Sequence, residues 1–202
     1  MDDIKLFNRW DFDVEILDAG LQNYINLEPV FVPNSGGKHS KKRFWKAEKA
    51  NIIERLVNKI MRGSVGSKKF SGKYMRGAGA TGKKSLALKI VEEAFGIIEK
   101  RTGRNPIQVF IDAVQNAAPR EETTTIIYGG VHYHQAVDVA PMRRIDLAIK
   151  NLVVAAYGNS FNKKNTIQEC LADEIVEGSN NDPKSFAIKK KEEMERIAQS
   201  AR

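Results

Sequence analysis

Two adjacent glycines, Gly129 and Gly130, divide a stretch of β-forming residues in a chain whose apolar residues otherwise recur at helical spacing. Residues 123–128 and 131–139 flank these glycines and are rich in β-branched and aromatic side chains, which favour strands. Glycine readily adopts the positive φ that both central residues of a tight hairpin turn require. The sequence therefore predicts a β-hairpin at residues 120–140.

A two-residue turn determines which residues of the hairpin face each other. It pairs Tyr128 with Val131 and Ile126 with Tyr133, and it places two histidines on the opposite face. Neither face is uniformly apolar, and an isolated two-stranded ribbon is marginally stable in water. The hairpin is therefore expected to pack on other elements or to project toward a partner.

Apolar residues spaced three and four apart predict six helices, at residues 47–62, 83–101, 106–117, 141–157, 167–177 and 183–202. Capping signals predict where these helices begin. Asn105 and a Thr166/Glu169 capping box precede two of them, and Asp182 precedes the last. Gly158 and Gly178 are expected to end theirs.

Residues 1–37 keep no helical period and carry aromatic residues among acids, and the basic run at residues 38–43 follows them. Residues 1–43 are predicted to form an extended N-terminal arm that lies over the core or over a neighbouring molecule. Residues 44–202 are predicted to form the helical domain. The expected fold class is thus mainly α, a bundle of about six helices with one protruding β-hairpin and an extended arm.

The formal net charge of +8 is unevenly distributed along the chain. Residues 1–37 carry a net −5 and residues 85–202 balance, whereas residues 38–84 hold fifteen basic and two acidic residues. A positive field this concentrated favours a polyanion, and nucleic acid is the commonest one in a cytoplasm. The basic, glycine-rich loop at residues 63–84 either orders on RNA or remains a mobile insertion.

Two features beside basic residues leave alternatives open. Phe44 and Trp45 follow a run of cations, and they either stack on RNA bases or anchor the next helix in the core. Three consecutive lysines at residues 189–191 either contact RNA or form the solvated face of an amphipathic helix.

A glycine pattern in the basic loop imitates a nucleotide-binding motif. Gly77, Gly79 and Gly82 match GxGxxG, which needs a buried strand immediately before it, and KKFSGKYMR is not such a strand. A phosphate-binding P-loop would also need Ser or Thr where Lys84 stands. The sequence therefore does not favour nucleotide binding by residues 77–84.

Catalytic and metal-binding patterns are not recognisable either. His132 and His134 share a strand face without a third ligand at suitable spacing, and Cys170 is expected to be buried in a helix. A single cysteine favours a reducing compartment. The first residues do not resemble a signal peptide, and no apolar run approaches the roughly 18 residues of a membrane span. We expect a cytoplasmic protein that is not an enzyme and uses no cofactor.

Two stretches, NPIQVFIDAVQNAAPRE and IIYGGVHYHQAVDVAPMRRIDLAI, resemble the universal ribosomal protein seven family of the small subunit. The similarity is closest to its archaeal and eukaryotic branch, which has a beginning like KLFNRW and an ending like SFAIKKKEEMERIA. The resemblance implies a helical domain with a projecting β-ribbon. It also implies binding to the 3′ major domain of small-subunit ribosomal RNA, organisation of the subunit head, and proximity to the messenger exit and the transfer-RNA exit site.

The same resemblance assigns expected roles to particular residues. Gly129 and Gly130 match the family's ribbon turn, Tyr133 its ribbon tyrosine, and Arg143 and Arg144 its paired arginines. The hairpin residues expected near messenger and transfer RNA are Ile127, Tyr128, Gly129, Gly130, Val131, His132 and Tyr133. Lys41, Lys42 and Arg43 match the branch's basic entry to the first helix. Together with the distribution of charge, this gives the basic residues expected to contact ribosomal RNA: Lys38, Lys41, Lys42, Arg43, Lys46, Arg62, Lys83, Lys84, Arg143, Arg144, Lys189, Lys190 and Lys191. Neighbouring proteins of the subunit head are the other expected partners, and no membrane is expected.

The first strand, TTTIIY, lacks the arginines common in the bacterial branch, so the hairpin is expected to act by shape and reach more than by charge. Two other hypotheses belong to different classes. One is a free-standing regulatory RNA- or DNA-binding module, which would not sediment with small subunits. The other is an enzyme that binds nucleotide at residues 77–84, which direct binding of ATP or NAD would reveal.

Overall fold

The computed structural model describes residues 4–36, 42, 44–62 and 82–202. Within these ranges the chain is mainly helical and contains one antiparallel two-stranded hairpin, as the sequence predicts. The elements are α1 (Ala19–Gln22), α2 (Trp45–Glu48), α3 (Ile52–Ile60), α4 (Lys84–Thr102), α5 (Pro106–Ala117), β1 (Glu121–Tyr128), β2 (Val131–Asp138), α6 (Pro141–Ser160), α7 (Ile167–Ser179) and α8 (Phe186–Ser200).

Helix α7 lies at the centre of the bundle and packs against α4, α5 and α6. Its Leu171 and Ile175 are fully buried, and Cys170 is buried as predicted. Gly178 allows the closest approach, because a Cβ placed there would lie 3.3 Å from the Cβ of Ala113 in α5. A well-packed core of this kind leaves little room for a larger side chain at Gly178.

Two predicted helix ends are wrong. Helix α6 continues through Gly158 to Ser160, and α7 continues through Gly178 to Ser179. Glycine within a helix costs only about 1 kcal/mol relative to alanine, and the burial of an apolar face against other helices outweighs that cost. The capping box at Thr166 and Glu169 and the cap at Asn105 are confirmed.

The helix predicted at residues 47–62 is in fact two helices, α2 and α3. Asn51 separates them, because its side chain accepts a hydrogen bond from the Ile53 N–H at 2.9 Å and donates one to the Glu28 carbonyl at 3.0 Å. These bonds hold Asn51 outside helical geometry as the N-cap of α3. The break depends on a contact with the N-terminal segment, and helical periodicity carries no information about such a contact.

The last helix begins at Phe186, with Ser185 rather than Asp182 as its N-cap. The Ser185 hydroxyl donates to Glu174 of α7 at 2.6 Å, and the same carboxylate accepts from the Ala187 N–H at 2.9 Å. Burial raises the pKa of Glu174, although these hydrogen bonds oppose the rise. The start of α8 is therefore set by a buried carboxylate on another helix.

The N-terminal segment packs onto the helices. Leu6, Trp10 and Leu21 are buried in the same core as the bundle. The Trp10 indole N–H donates to Glu99 at 3.1 Å, and its ring lies 5.8 Å from that of Phe95 in an edge-on arrangement. Of the two expectations for the described part of this segment, contact with the core is confirmed.

The hairpin has the predicted register, with Tyr128 opposite Val131 and Ile126 opposite Tyr133. Gly129 and Gly130 have φ values of 57° and 81°, as the tight turn requires. Only the base of the hairpin packs on the bundle: Glu121 pairs with Arg202, beyond the end of α8. The distal half projects into solvent.

Candidate nucleic-acid interface

A groove of about 880 Å³ lies where four parts of the chain meet. These are the segment before α2, α2 itself, α3 and the first three turns of α6. We call this site the basic groove. Five cationic side chains line it together with one carboxylate and a set of aromatic and aliphatic side chains. The lining residues are Tyr24, Lys42, Phe44, Trp45, Lys46, Lys59, Ala140, Pro141, Met142, Arg143, Asp146, Leu147 and Lys150.

Asp146 is the carboxylate on which these cations converge. Lys46 Nζ lies 2.6 Å from one of its oxygens and Arg55 Nη2 lies 3.4 Å from the other. Arg55 is buried behind the groove and also donates to the Tyr24 carbonyl at 3.1 Å. Burial would raise the pKa of Asp146, but the Lys46 hydrogen bond and the charges of Arg55, Lys46 and Lys59 together lower it.

One carboxylate does not neutralise this group of cations. Burial lowers the pKa of Lys59; the charge of Asp146 opposes that fall, whereas the charges of Lys46, Arg62 and Arg55 add to it. Lys150 and Lys42 lie on the exposed side of the groove. The N-terminus of α6 adds the partial positive charge of its unpaired peptide N–H groups. The groove therefore carries a surplus of positive charge and favours an anionic ligand.

Three predicted RNA-contacting residues lie at this groove: Lys42, Lys46 and Arg143. Arg143 also donates two hydrogen bonds to Glu122 of β1, at 2.9 and 2.8 Å, and so links the groove to the base of the hairpin. Its neighbour Arg144 lies outside the groove. Arg144 is largely buried, pairs with Asp18 at 2.8 Å, and donates to the Pro119 carbonyl at 3.2 Å.

The other predicted basic residues are not at the groove. Lys84 at the start of α4 pairs with Glu54 at 2.7 Å, whereas Arg62 and Lys83 are exposed. On α8, Lys189 is exposed, Lys190 pairs with Glu193, and Lys191 is half-buried. Predictions for Lys38, Lys41 and Arg43, and for residues 63–81 of the glycine-rich loop, fall outside the described residues.

Sequence reasoning missed Lys59 and Lys150. On α6, Arg143, Asp146 and Lys150 are spaced three and four residues apart, so they lie on one face of the helix. That spacing could have identified Lys150. Lys59 had no comparable signal, because only the packing of α3 beside α6 brings it to Asp146.

The distal hairpin offers a different surface. Tyr128 is 79% exposed and Ile127 65% exposed, and Val131 and Tyr133 are more than half exposed. No Asp, Glu, Lys or Arg occurs between Thr123 and Val137. Side chains alternate along each strand, so Tyr128, Val131 and Tyr133 share one face, whereas Ile127 shares the other with His134, which lies 3.2 Å from the Thr125 hydroxyl.

The described residues contain neither a metal-binding cluster nor a membrane-spanning helix. No three His, Cys, Asp or Glu side chains there are grouped to hold a metal ion. None of the helices seen there combines the length and apolarity that crossing a membrane requires.

A helical domain with a cation-rich groove beside aromatic side chains is typical of a nucleic-acid-binding protein. A family model described as ribosomal protein S7p/S5e matches residues 21–202. Because that match spans most of the chain, the protein belongs to the ribosomal protein S7p/S5e family. It is accordingly a ribosomal protein of the small subunit that binds ribosomal RNA. Proteins of this family are structural constituents of the ribosome.

Proposed function

We propose that this protein binds the 3′ major domain of small-subunit ribosomal RNA through the basic groove and helps to organise the subunit head in the cytoplasm. Within the S7p/S5e family, we assign the protein to the archaeal and eukaryotic branch because of the stretches KLFNRW and SFAIKKKEEMERIA. The observation that carries the proposal is the surplus of cations around Asp146. Cations gathered from different elements suit a place where RNA helices converge and bring phosphates close together.

We propose a second role for the hairpin, near the messenger exit and the transfer-RNA exit site. Its distal half projects from the bundle and presents Tyr128, Ile127 and Tyr133 without formal charge. Such an arm contributes little phosphate neutralisation, so its position is expected to matter more than its contribution to RNA affinity. Arg143 supports this arrangement, because it joins the hairpin base to the groove.

Binding of a transcript of the 3′ major domain tests the first role. Affinity should fall steeply and linearly on a log–log plot against salt, because each neutralised phosphate releases counterions. A transcript of a different domain, matched in length, serves as the control and should bind more weakly at physiological salt. Equal affinity for the two transcripts, or a flat response to salt, would contradict the proposal.

Cross-linking tests the second role on assembled subunits. A photoreactive amino acid replaces Tyr128 at the hairpin tip or, as a matched control, Tyr157, whose hydroxyl donates to the Ile60 carbonyl in the bundle. Only the Tyr128 position should cross-link to messenger or exit-site transfer RNA. Cross-links restricted to other ribosomal proteins would rule out this placement.

Sedimentation of the native protein tests the proposed place in the subunit. Co-migration with small subunits supports it, and a free pool alone would contradict it.

A further inference from the structure

The basic groove has an apolar component that phosphate binding does not use. Trp45, Met142 and Leu147 are partly exposed along it, and Phe44 is 45% exposed. Tyr24 adds a third aromatic ring to the lining. Partly exposed apolar side chains gathered in one groove indicate a ligand with an apolar or aromatic surface.

The cations of the groove differ in how far the protein itself engages them. Lys46 pairs with Asp146, and Arg143 pairs with Glu122. Among the ion pairs of the described residues, none involves Lys42, Lys59 or Lys150. These three lysines belong to three different parts of the chain, and each lines the groove. They are therefore available to an anion that enters beside the aromatic rings.

Unpaired RNA can engage both the aromatic side chains and the three lysines of the groove. A duplex presents phosphates and sugars but hides the faces of its bases, so it could engage the lysines and would leave Trp45 uncovered. An unpaired nucleotide presents a phosphate and a free base face together, and aromatic side chains are the usual platform for that face. The groove volume of about 880 Å³ falls within the roughly 300–1,000 Å³ typical of small-ligand sites.

We propose that the basic groove holds an unpaired RNA nucleotide, with its base stacked on Trp45 and its phosphates at Lys42, Lys59 and Lys150. This inference rests on the proposed function, because it specifies which form of RNA the same groove takes. Burial is the main cause of the lowered pKa of Lys59, and repulsion from Lys46, Arg62 and Arg55 adds to it. A phosphate in the groove would offset that repulsion. Of the two alternatives for Trp45, the proposal adopts stacking on RNA.

The chain has two tryptophans, which makes the test internally controlled. Full-length protein labelled with 5-fluorotryptophan gives one fluorine resonance from Trp45 and one from Trp10, which is only 3% exposed. The probes are an unpaired cytidine–adenosine repeat oligoribonucleotide and a duplex with the same number of phosphates. The unpaired oligomer should shift the Trp45 resonance and leave that of Trp10 unchanged, and the duplex should shift neither.

Affinities of two variants complete the test. Trp45→Leu should weaken binding of the unpaired oligomer about tenfold, within the range that base–aromatic stacking supplies, and should leave duplex affinity unchanged. Trp45→Phe, which keeps an aromatic ring, should recover most of the affinity. If Trp45→Leu does not fold, the fluorine shifts of the wild-type protein decide the question.

The outcomes separate this inference from the proposed function. If the 3′ major-domain transcript binds but the unpaired oligomer leaves the Trp45 resonance unchanged, the inference fails and the proposed function stands. Equal shifts from the duplex, or equal weakening of both probes by Trp45→Leu, would also overturn the inference. If neither the transcript nor the oligomer binds, the proposed function fails with it.

Discussion

The basic groove and the distal hairpin are both exposed, but they differ in chemistry and in attachment. The groove concentrates cations around Asp146 and is built from α2, α3 and α6, so its side chains are tied to the core. The hairpin tip bears no formal charge and touches the bundle only through its base. Arg143 lines the groove and pairs with Glu122 of β1, so it connects the two regions.

The basic groove and the hairpin tip are therefore expected to have different roles. RNA affinity and global stability should depend on the groove, where charge and burial coincide. The tip should contribute little to either, because a side chain that is mostly solvated in the folded protein gains little free energy from folding. We expect the tip to act through its position in the assembled subunit.

The largest expected effect is on RNA affinity. The triple variant Lys42→Ala/Lys59→Ala/Lys150→Ala should bind the 3′ major-domain transcript roughly a thousandfold more weakly, at about 1.5 kcal/mol for each charged hydrogen bond. The salt slope should fall by about two to three units, because each lost phosphate contact removes about one. Filter binding across a salt series measures both quantities.

A matched control carries the same change in charge away from the groove. Lys163, Lys164 and Lys184 are exposed on loops that do not line it. Their triple replacement by alanine should alter affinity far less than the groove variant. Equal losses from the two triple variants would mean that net charge, rather than the groove, determines binding.

The next effect is on stability. In Asp146→Asn, the buried Arg55 loses its counter-charge, and unfolding free energy should fall by about 2–3 kcal/mol, below the range for fully buried pairs because the Asp146 side chain keeps 26% exposure. Urea denaturation measures this change. RNA affinity should not fall, because the groove gains one net positive charge.

An exposed pair provides the control for that variant. Glu193→Gln removes the same charge from a contact with Lys190 in which both side chains are more than 40% exposed. Its unfolding free energy should change far less than that of Asp146→Asn, because solvent screens an exposed pair. If Asp146→Asn proves equally mild, the ion pairs at the groove are solvated surface contacts and the contrast between the two regions weakens.

The pH dependence of the same pair gives a third test. Although burial would raise it, the pKa of Asp146 in the folded protein lies below its ordinary value of 3.8 because of the cations around it. The unfolded chain therefore binds the proton first as pH falls, and the stabilisation by Asp146 is complete above 3.8 and lost as pH falls through the folded pKa. The stability difference between wild type and Asp146→Asn should be constant at neutral pH and shrink in acid. A difference that grows in acid would contradict the direction of this shift.

The smallest expected effect is at the hairpin tip. Tyr128→Ala should change unfolding free energy by less than about 0.5 kcal/mol, as expected for an exposed position. It should leave the salt slope of RNA binding unchanged, because no phosphate contact is removed. A loss comparable to that of Asp146→Asn would show that the tip packs against the bundle in solution.

Local sequence signals were sufficient where the decisive interaction is local. The glycine pair determined the hairpin register, since the turn requires positive φ and the strands follow from it. The capping box at Thr166 and Glu169 is satisfied within four residues of chain. Apolar stripes placed α4 and α5 within one or two residues, because helical periodicity is a property of the helix itself.

Tertiary contacts decided the features that the local signals missed. Glycines expected to end helices lie inside α6 and α7, where packing outweighs propensity. Ser185 rather than Asp182 caps α8, because Glu174 comes from another helix. Arg144 pairs with Asp18, a contact with the N-terminal segment that no local pattern indicated, and its contact with RNA stays a prediction.

Amino-acid patterns alone predicted the fold class, the hairpin, the concentration of basic residues before α4, and a family resemblance that the family match to residues 21–202 confirms. Which cations share a site depends instead on tertiary contacts. These contacts bring Lys59 of α3 and Lys150 of α6 beside the aromatic rings that precede α3. The physical reason is that charges interact through space, whereas periodicity and composition describe only neighbours along the chain.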